Sequence, residues 1–254
     1  MMTSYPDLNG KIALVTGGSR GIGAATARAL AAEGARVGVV GRDATALKQV
    51  VTEIAASGGT AEAFVADLTD AAAVTQLRDQ VSAALGEVDV LGAFAGGQGF
   101  PAPTPSLTEQ RWREVLDSEL TSAFLTVQAF LPSMIDRSRG SILLMSSSAG
   151  RQPGQANLAY GVANAGLVML ARHLAGEVGP HGVRVNCLAP SSILTETVEA
   201  RMPDQVKQQV ADMHPLRRMG TPTDVAQAAL FLASEASSYL TGLTVDVAGG
   251  RITN

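Results

Sequence analysis

The stretch Thr16-Gly17-Gly18-Ser19-Arg20-Gly21-Ile22-Gly23 constrains this chain more than any other. An apolar run, Ile12-Ala13-Leu14-Val15, precedes it and is short enough for one buried strand. After it, Ala24 to Glu33 is rich in alanine, with Ile22, Ala25, Ala29 and Leu30 at helical spacing and Gly34 as the stop. Strand, glycine turn and helix form a unit that cradles phosphate. The glycines let the backbone approach a ligand with no Cβ in the way. The helix N-terminus presents unpaired N–H groups and the positive end of its dipole to a pyrophosphate. A glycine string by itself could be an ordinary turn; the flanking strand and helix make this one a dinucleotide site.

Apolar strands and helices alternate through the rest of the chain. A strand at Arg36 to Gly41 leads to a helix over about Ala44 to Ser57, and a strand at Ala61 to Ala66 leads through Asp67 to a helix near Asp70 to Leu85. A strand at Val88 to Phe94 is followed by a Gly- and Pro-rich loop, Gly96 to Ser106, and a long helix, Glu109 to Met134. Then come a strand at Gly140 to Ser147, a helix over Asn157 to Val178, and a strand at Val183 to Leu188. A polar segment with short helices, a helix over Thr223 to Ala233 and a strand at Leu243 to Val247 complete the chain. This pattern predicts an α/β fold: one Rossmann-like, doubly wound parallel sheet with helices on both faces, in a single domain over residues 1–254. Ligands then sit at the carboxyl ends of the strands. With 254 residues, 46% of them hydrophobic, one large core is favoured over two small ones. A net charge of −4 leaves no nucleic-acid or polybasic membrane footprint. The lone cysteine, Cys187, reads as a buried thiol in a strand and fits a reducing, cytoplasmic setting. Met1 to Asn9 lacks the apolar core of a signal peptide. His173 and His181 read as a helix-face and a loop residue, and no metal-ligand spacing occurs.

With these elements placed, the chain resembles the short-chain dehydrogenase/reductase family along nearly its whole length. Leu8-Asn9-Gly10-Lys11 opens the first strand as in that family, and Asp67 follows the third. Ser147 and Tyr160 stand at the family's thirteen-residue interval, which selects Ser147 over its neighbours Ser146 and Ser148. Asn186 to Pro190, Ile193 and Thr195 resemble its nicotinamide-side segment, and Phe231 to Ser234, Thr241-Gly242 and Asp246 to Gly250 its C-terminal signature. The resemblance implies cofactor contacts from Gly17, Ser19, Arg20, Gly21, Ile22, Gly23, Arg42, Asp67, Leu68, Ala95, Gly96, Tyr160, Asn164, Pro190, Ile193 and Thr195. It implies a homo-oligomer, a tetramer in most members, using the two long helices and the C-terminal strand. A substrate lid is expected near residues 191–219, with Phe100, Leu194, Val198, Met202 and Met213 as an apolar wall.

The departures bear on the chemistry. The family's catalytic lysine aligns with Asn164, its long-helix asparagine with Glu119, its Asn-Asn-Ala-Gly with Ala93-Phe94-Ala95-Gly96, and its Pro-Gly with Pro190-Ser191. In the family the tyrosine exchanges the carbonyl proton, the serine orients the oxygen, and the lysine binds the nicotinamide ribose and lowers the tyrosine pKa. Tyr160 and Asn164 are four residues apart and share a helix face. Asn164 can bond a ribose hydroxyl but carries no charge. Glu119 is either a second charge acting on Tyr160 or an ordinary solvated helix residue. Losing a cation and gaining an anion disfavours tyrosinate, and so disfavours alcohol oxidation more than carbonyl reduction.

The end of the second strand is Gly41, where an acidic residue would bond a ribose 2′-OH. Arg42 follows and Arg20 lies in the glycine loop, so NADP(H) is preferred, with NAD(H) possible. Asp43 reads as a helix cap. The expected function is NADP(H)-dependent reduction of a small carbonyl compound, with Tyr160 as acid and Ser147 orienting the oxygen. The alternatives are a cofactor-binding protein with little turnover, or non-redox chemistry by Ser147, Tyr160 and Glu119.

Overall fold

The computed structural model describes residues 4–252. The first three residues of the Met1–Asn9 stretch, and Thr253 and Asn254 of the expected domain, lie outside the described residues. One sheet contains β1 (Ile12–Thr16), β2 (Arg36–Gly41), β3 (Thr60–Val65), β4 (Val90–Ala93), β5 (Gly140–Met145), β6 (Val183–Pro190) and β7 (Thr244–Val247). Its order is β3-β2-β1-β4-β5-β6-β7, and every pairing is parallel. The helices between them are α1 (Gly21–Ala32), α2 (Ala44–Ala56), α3 (Ala71–Ala84), α4 (Glu109–Leu116), α5 (Ser122–Asp136), α6 (Leu158–Val178), α7 (Glu196–Arg201), α8 (Asp204–Asp212) and α9 (Pro222–Ala233).

Strand alternation decides which helices each side chain meets. In β1, Ala13 and Val15 join the cluster with α1, α2 and α9, whereas Leu14 joins α3, α5 and α6 on the other face. Leu14, Leu91, Leu143 and Leu144 are each at most 1% exposed, and burying such a side chain stabilises by roughly 1.5–3 kcal/mol. Cys187 is buried in β6, and burial pushes its thiol up to about 12.

Some boundaries shift from the sequence expectation, each for a local reason. Strand β6 continues to Pro190 because β7 lies beside its end, with Pro190 opposite Val247. Strand β5 stops at Met145, and Ser147 caps a short 3-10 turn instead. Helix α1 takes in Gly21 and Gly23 as its first turn. The expected single helix from Glu109 is interrupted by five residues of π-helix, Asp117–Thr121, between α4 and α5. Here Ser118 Oγ donates to Val115 O at 3.3 Å, Ser122 Oγ to Ser118 O at 2.7 Å, and Thr126 Oγ1 to Ser122 O at 2.7 Å. Such back-bonding competes with the helical ladder and accompanies the wider turn.

Candidate active site

The strand order reverses between β1 and β4, the place where sheets of this kind bind ligands at the carboxyl ends of their strands. Thr16 Oγ1 accepts from Phe94 N at 2.9 Å and Ala95 N at 3.1 Å, clamping the two strand ends together. A Cβ on Gly23 would overlap the Gly17 carbonyl oxygen, so the loop can fold onto the first turn of α1 only with glycine there. Gly21 N donates to Glu196 Oε2 at 3.1 Å. A carboxylate from α7, 175 residues away, thus occupies the anion position at the N-terminus of α1.

On the side of β2, Asp43 caps α2 by accepting from Ala46 N at 3.1 Å and also pairs with Arg20 at 2.8 Å. Arg20 is therefore held by a carboxylate. Arg42 forms no ion pair among the described residues. Asp67 lies below the usual carboxylate range because Thr69 N and Oγ1 donate to it, with the Arg42 charge adding to the effect. Leu68 is 6% exposed, and its side chain belongs to the core.

At the start of α6, one buried side chain fixes both the helix carrying Tyr160 and the loop above it. Asn157 Oδ1 accepts from Tyr160 N at 2.9 Å, capping α6. Its Nδ2 donates to Gln98 O at 2.8 Å and Phe100 O at 3.0 Å. The loop lies on the phenol: a Cβ at Gly99 would stand 3.0 Å from Tyr160 Cε1. The Ser147 hydroxyl accepts from Ala149 N at 3.2 Å and lies close enough to the Tyr160 phenol to favour its ionised form. Ser146 instead is buried and donates to Asn164 O at 2.8 Å, so Ser147 is the serine of the pair. Burial first, and then the Glu119 charge, push the Tyr160 phenol up to about 12; Ser147 and Asn164 oppose this.

Glu119 is 4% exposed, which excludes the solvated reading. Its Oε1 accepts from Gly97 N at 2.6 Å and Gln98 N at 2.7 Å. Burial raises its pKa, against those N–H donors, Asn164 and the charge of Arg111. The Arg111 guanidinium is bonded elsewhere, to Gln98 Oε1 at 2.7 Å and Glu114 Oε2 at 3.3 Å. Asn164 is buried, and its Nδ2 donates to Tyr160 O of its own helix at 2.9 Å. Its Oδ1 is buried without a partner. An unmet buried acceptor costs about 1–3 kcal/mol, so this oxygen suits an incoming hydroxyl.

Beyond β6, the segment near 191–219 is rooted by a bridge between Ile193 and Gly220. Thr195 Oγ1 accepts from Val198 N at 3.3 Å and caps α7. His214 is 2% exposed and joins Val210 O at 2.7 Å to Ser191 Oγ at 2.9 Å. With Nδ1–H facing the carbonyl, the tautomer assigned from these partners leaves Nε2 to accept from the Ser191 hydroxyl. Arg201, ending α7, lies 5.9 Å from the Phe100 ring centroid, so lid and loop meet across the mouth. Phe100 and Met213 are exposed there, while Leu194, Val198 and Met202 are half-buried. Sequence reasoning missed Asn157 as a latch, Glu196 and His214. Asn157 had a readable cap signal before an apolar-periodic run; the other two contacts had none.

Among the described residues no group of three or more His, Cys, Asp or Glu could hold a metal, and no helix is long and apolar enough to cross a membrane. A family model described as enoyl-(acyl carrier protein) reductase matches residues 17–251. A short-chain type dehydrogenase/reductase from Mycobacterium marinum is 35% identical, with a TM-score of 0.92 over 98% of each chain. A structure from Beutenbergia cavernae, with NADP bound at low occupancy, is 37% identical, with a TM-score of 0.91 over 98% of this chain and 99% of that one. D-threitol dehydrogenase of Mycolicibacterium smegmatis is 35% identical over 96% of this chain and 93% of its own. Whole-chain matches of this kind, on a site that pairs Ser147 with Tyr160 beside a glycine loop, lead to one assignment: the chain belongs to the short-chain dehydrogenase/reductase family of oxidoreductases.

Proposed function

We propose that this chain is an NADP(H)-dependent oxidoreductase that reduces a small carbonyl compound. The observation that carries the reading is the Tyr160 phenol, covered by the loop at Gly99, close to Ser147 and held protonated across neutral pH. Gly17, Ser19, Gly21, Ile22 and Gly23 would hold the pyrophosphate, and Arg20 and Arg42 the 2′-phosphate. Asp67, Leu68, Ala95 and Gly96 would flank the adenosine half. Tyr160, Asn164, Pro190, Ile193 and Thr195 would hold the nicotinamide half. The fit is supported by the carboxylate already seated on Gly21 N and by the unmet Asn164 Oδ1. When bound, the reduced dinucleotide supplies a hydride. Tyr160 gives its proton to the substrate oxygen, and Ser147 orients that oxygen. Glu119 keeps the proton on the phenol, which disfavours the oxidative direction.

The buried Glu119, and the lysine replaced by Asn164, also favour a second reading: cofactor binding with little redox turnover, or non-redox chemistry by Ser147, Tyr160 and Glu119. Cofactor fluorescence titration followed by NADPH consumption with a carbonyl panel separates them. Consumption that Tyr160→Phe abolishes supports reduction. Binding without consumption supports the second reading.

Because Glu196 competes for Gly21 N, Glu196→Ala should tighten NADPH binding by about twofold to fivefold, the worth of one exposed anion at a helix N-terminus. Titration of both proteins at equal salt checks this; unchanged affinity would mean the contact carries no weight.

Exposed Phe124, Leu158, Val162 and Met169 on α5 and α6 support a homo-oligomer, a tetramer by family pattern. Sedimentation should show that assembly at micromolar concentration, and a stable monomer would refute it. A cytoplasmic setting is supported by the single, buried cysteine.

A further inference from the structure

We infer that the reaction centre at Tyr160 selects a cationic nitrogen, and that the acceptor reduced there is a protonated imine, the nitrogen counterpart of a carbonyl, with Glu119 as its counter-charge. This rests on the reading of Ser147 and Tyr160 as the reaction centre. The first support is an uncompensated carboxylate. Glu119 is 4% exposed and is oriented by Gly97 N and Gln98 N at 2.6 and 2.7 Å, yet it forms no ion pair among the described residues. Arg111, the cation that acts on it, is bonded to Gln98 and Glu114. A buried carboxylate without a bonded cation is costly and gains from a positive partner. Burial alone favours the protonated carboxyl; an arriving cation tips the balance back to carboxylate.

The second support is reach. The Glu119 charge acts on the Tyr160 phenol, so the same potential lowers the energy of a positive charge placed against that phenol. The mouth already holds a cation over an aromatic face, Arg201 on Phe100.

The third support is chemical demand. A carbonyl needs a proton from Tyr160 as well as a hydride. A C=N–H⁺ group brings its own proton. A hydride from a reduced nicotinamide forms the new C–H bond, the π pair of C=N moves onto nitrogen, and a neutral amine results. The protein surrenders no proton in that step. The cation that the family supplies from lysine is here carried in by the substrate.

The test is equilibrium binding to NADPH-saturated protein of two isosteric probes, cyclopentylammonium and cyclopentanol, by calorimetry. The ammonium should bind at least about tenfold more tightly, or ~1.4 kcal/mol. Glu119→Gln keeps an oxygen for Gly97 N and Gln98 N, so the loop stays in place, and it should bring the ratio close to one. Ammonium binding no tighter than that of the alcohol, immeasurable binding included, overturns the inference, as does a preference that survives in Glu119→Gln. Failure of NADPH itself to bind would instead overturn the reading of the reaction centre on which the inference stands.

Discussion

Asn164→Lys combined with Glu119→Asn should lower the pH at which Tyr160 ionises by about two units or more. The phenol stands at about 12 because burial and the Glu119 charge both oppose tyrosinate. Removing that charge and placing an ammonium four residues along the same helix face reverses one cause and adds an opposing one. The sign follows from which species each direction needs. Tyrosinate is the base for alcohol oxidation, and at pH 8 only about one molecule in ten thousand carries it when the pKa is near 12. At a pKa near 10 the fraction is about one in a hundred, so the base form gains roughly a hundredfold. Carbonyl reduction uses the protonated phenol and changes far less. Ultraviolet difference titration reads the phenol directly, with Tyr160→Phe as the blank that removes Tyr5 and Tyr239. The single change Asn164→Lys should give a smaller shift, since Glu119 would pair with the new lysine. An unmoved midpoint in the double variant would show that the local charges do not control the phenol.

Arg42→Asp should weaken NADPH by roughly tenfold or more and spare or improve NADH. One charge-assisted pair to a 2′-phosphate contributes about 1.5–3 kcal/mol. The two arginines are not equal. Arg20 already pairs with Asp43 at 2.8 Å and must exchange that partner for a phosphate, whereas Arg42 has no ion pair to give up among the described residues. Arg20→Ala should therefore cost less than Arg42→Asp, whose new carboxylate also repels the phosphate and can accept from a 2′-OH. Equal affinities for NADPH and NADH in the unmodified protein would overturn the assignment.

What could be read in advance was local or periodic. The glycine loop and the run of strands and helices rest on local signals and sit where they were expected, whereas Ser147, expected to end the fifth strand, caps the short turn after it. Glu119 was ambiguous because its direction depends on the π-helical turn at Asp117–Thr121, which a 3.6-residue period hides. The contact of Glu196 with Gly21 joins residues 175 apart, and that of His214 with Ser191 depends on how the lid returns to the sheet. Neither leaves a trace in spacing.

Asn157 gives the molecule a mechanical coupling. The same amide group that caps α6 at Tyr160 N holds the loop through Gln98 O and Phe100 O. Lifting the loop to admit a bulky substrate therefore loosens the side chain that shields the Tyr160 backbone amide. Hydrogen exchange at that single amide should report the opening rate of the loop, rising when Asn157 is replaced by Ser, which can cap the helix but cannot reach both carbonyls. Opening of the loop and fraying of the first turn of α6 then become one motion, observed at one nitrogen.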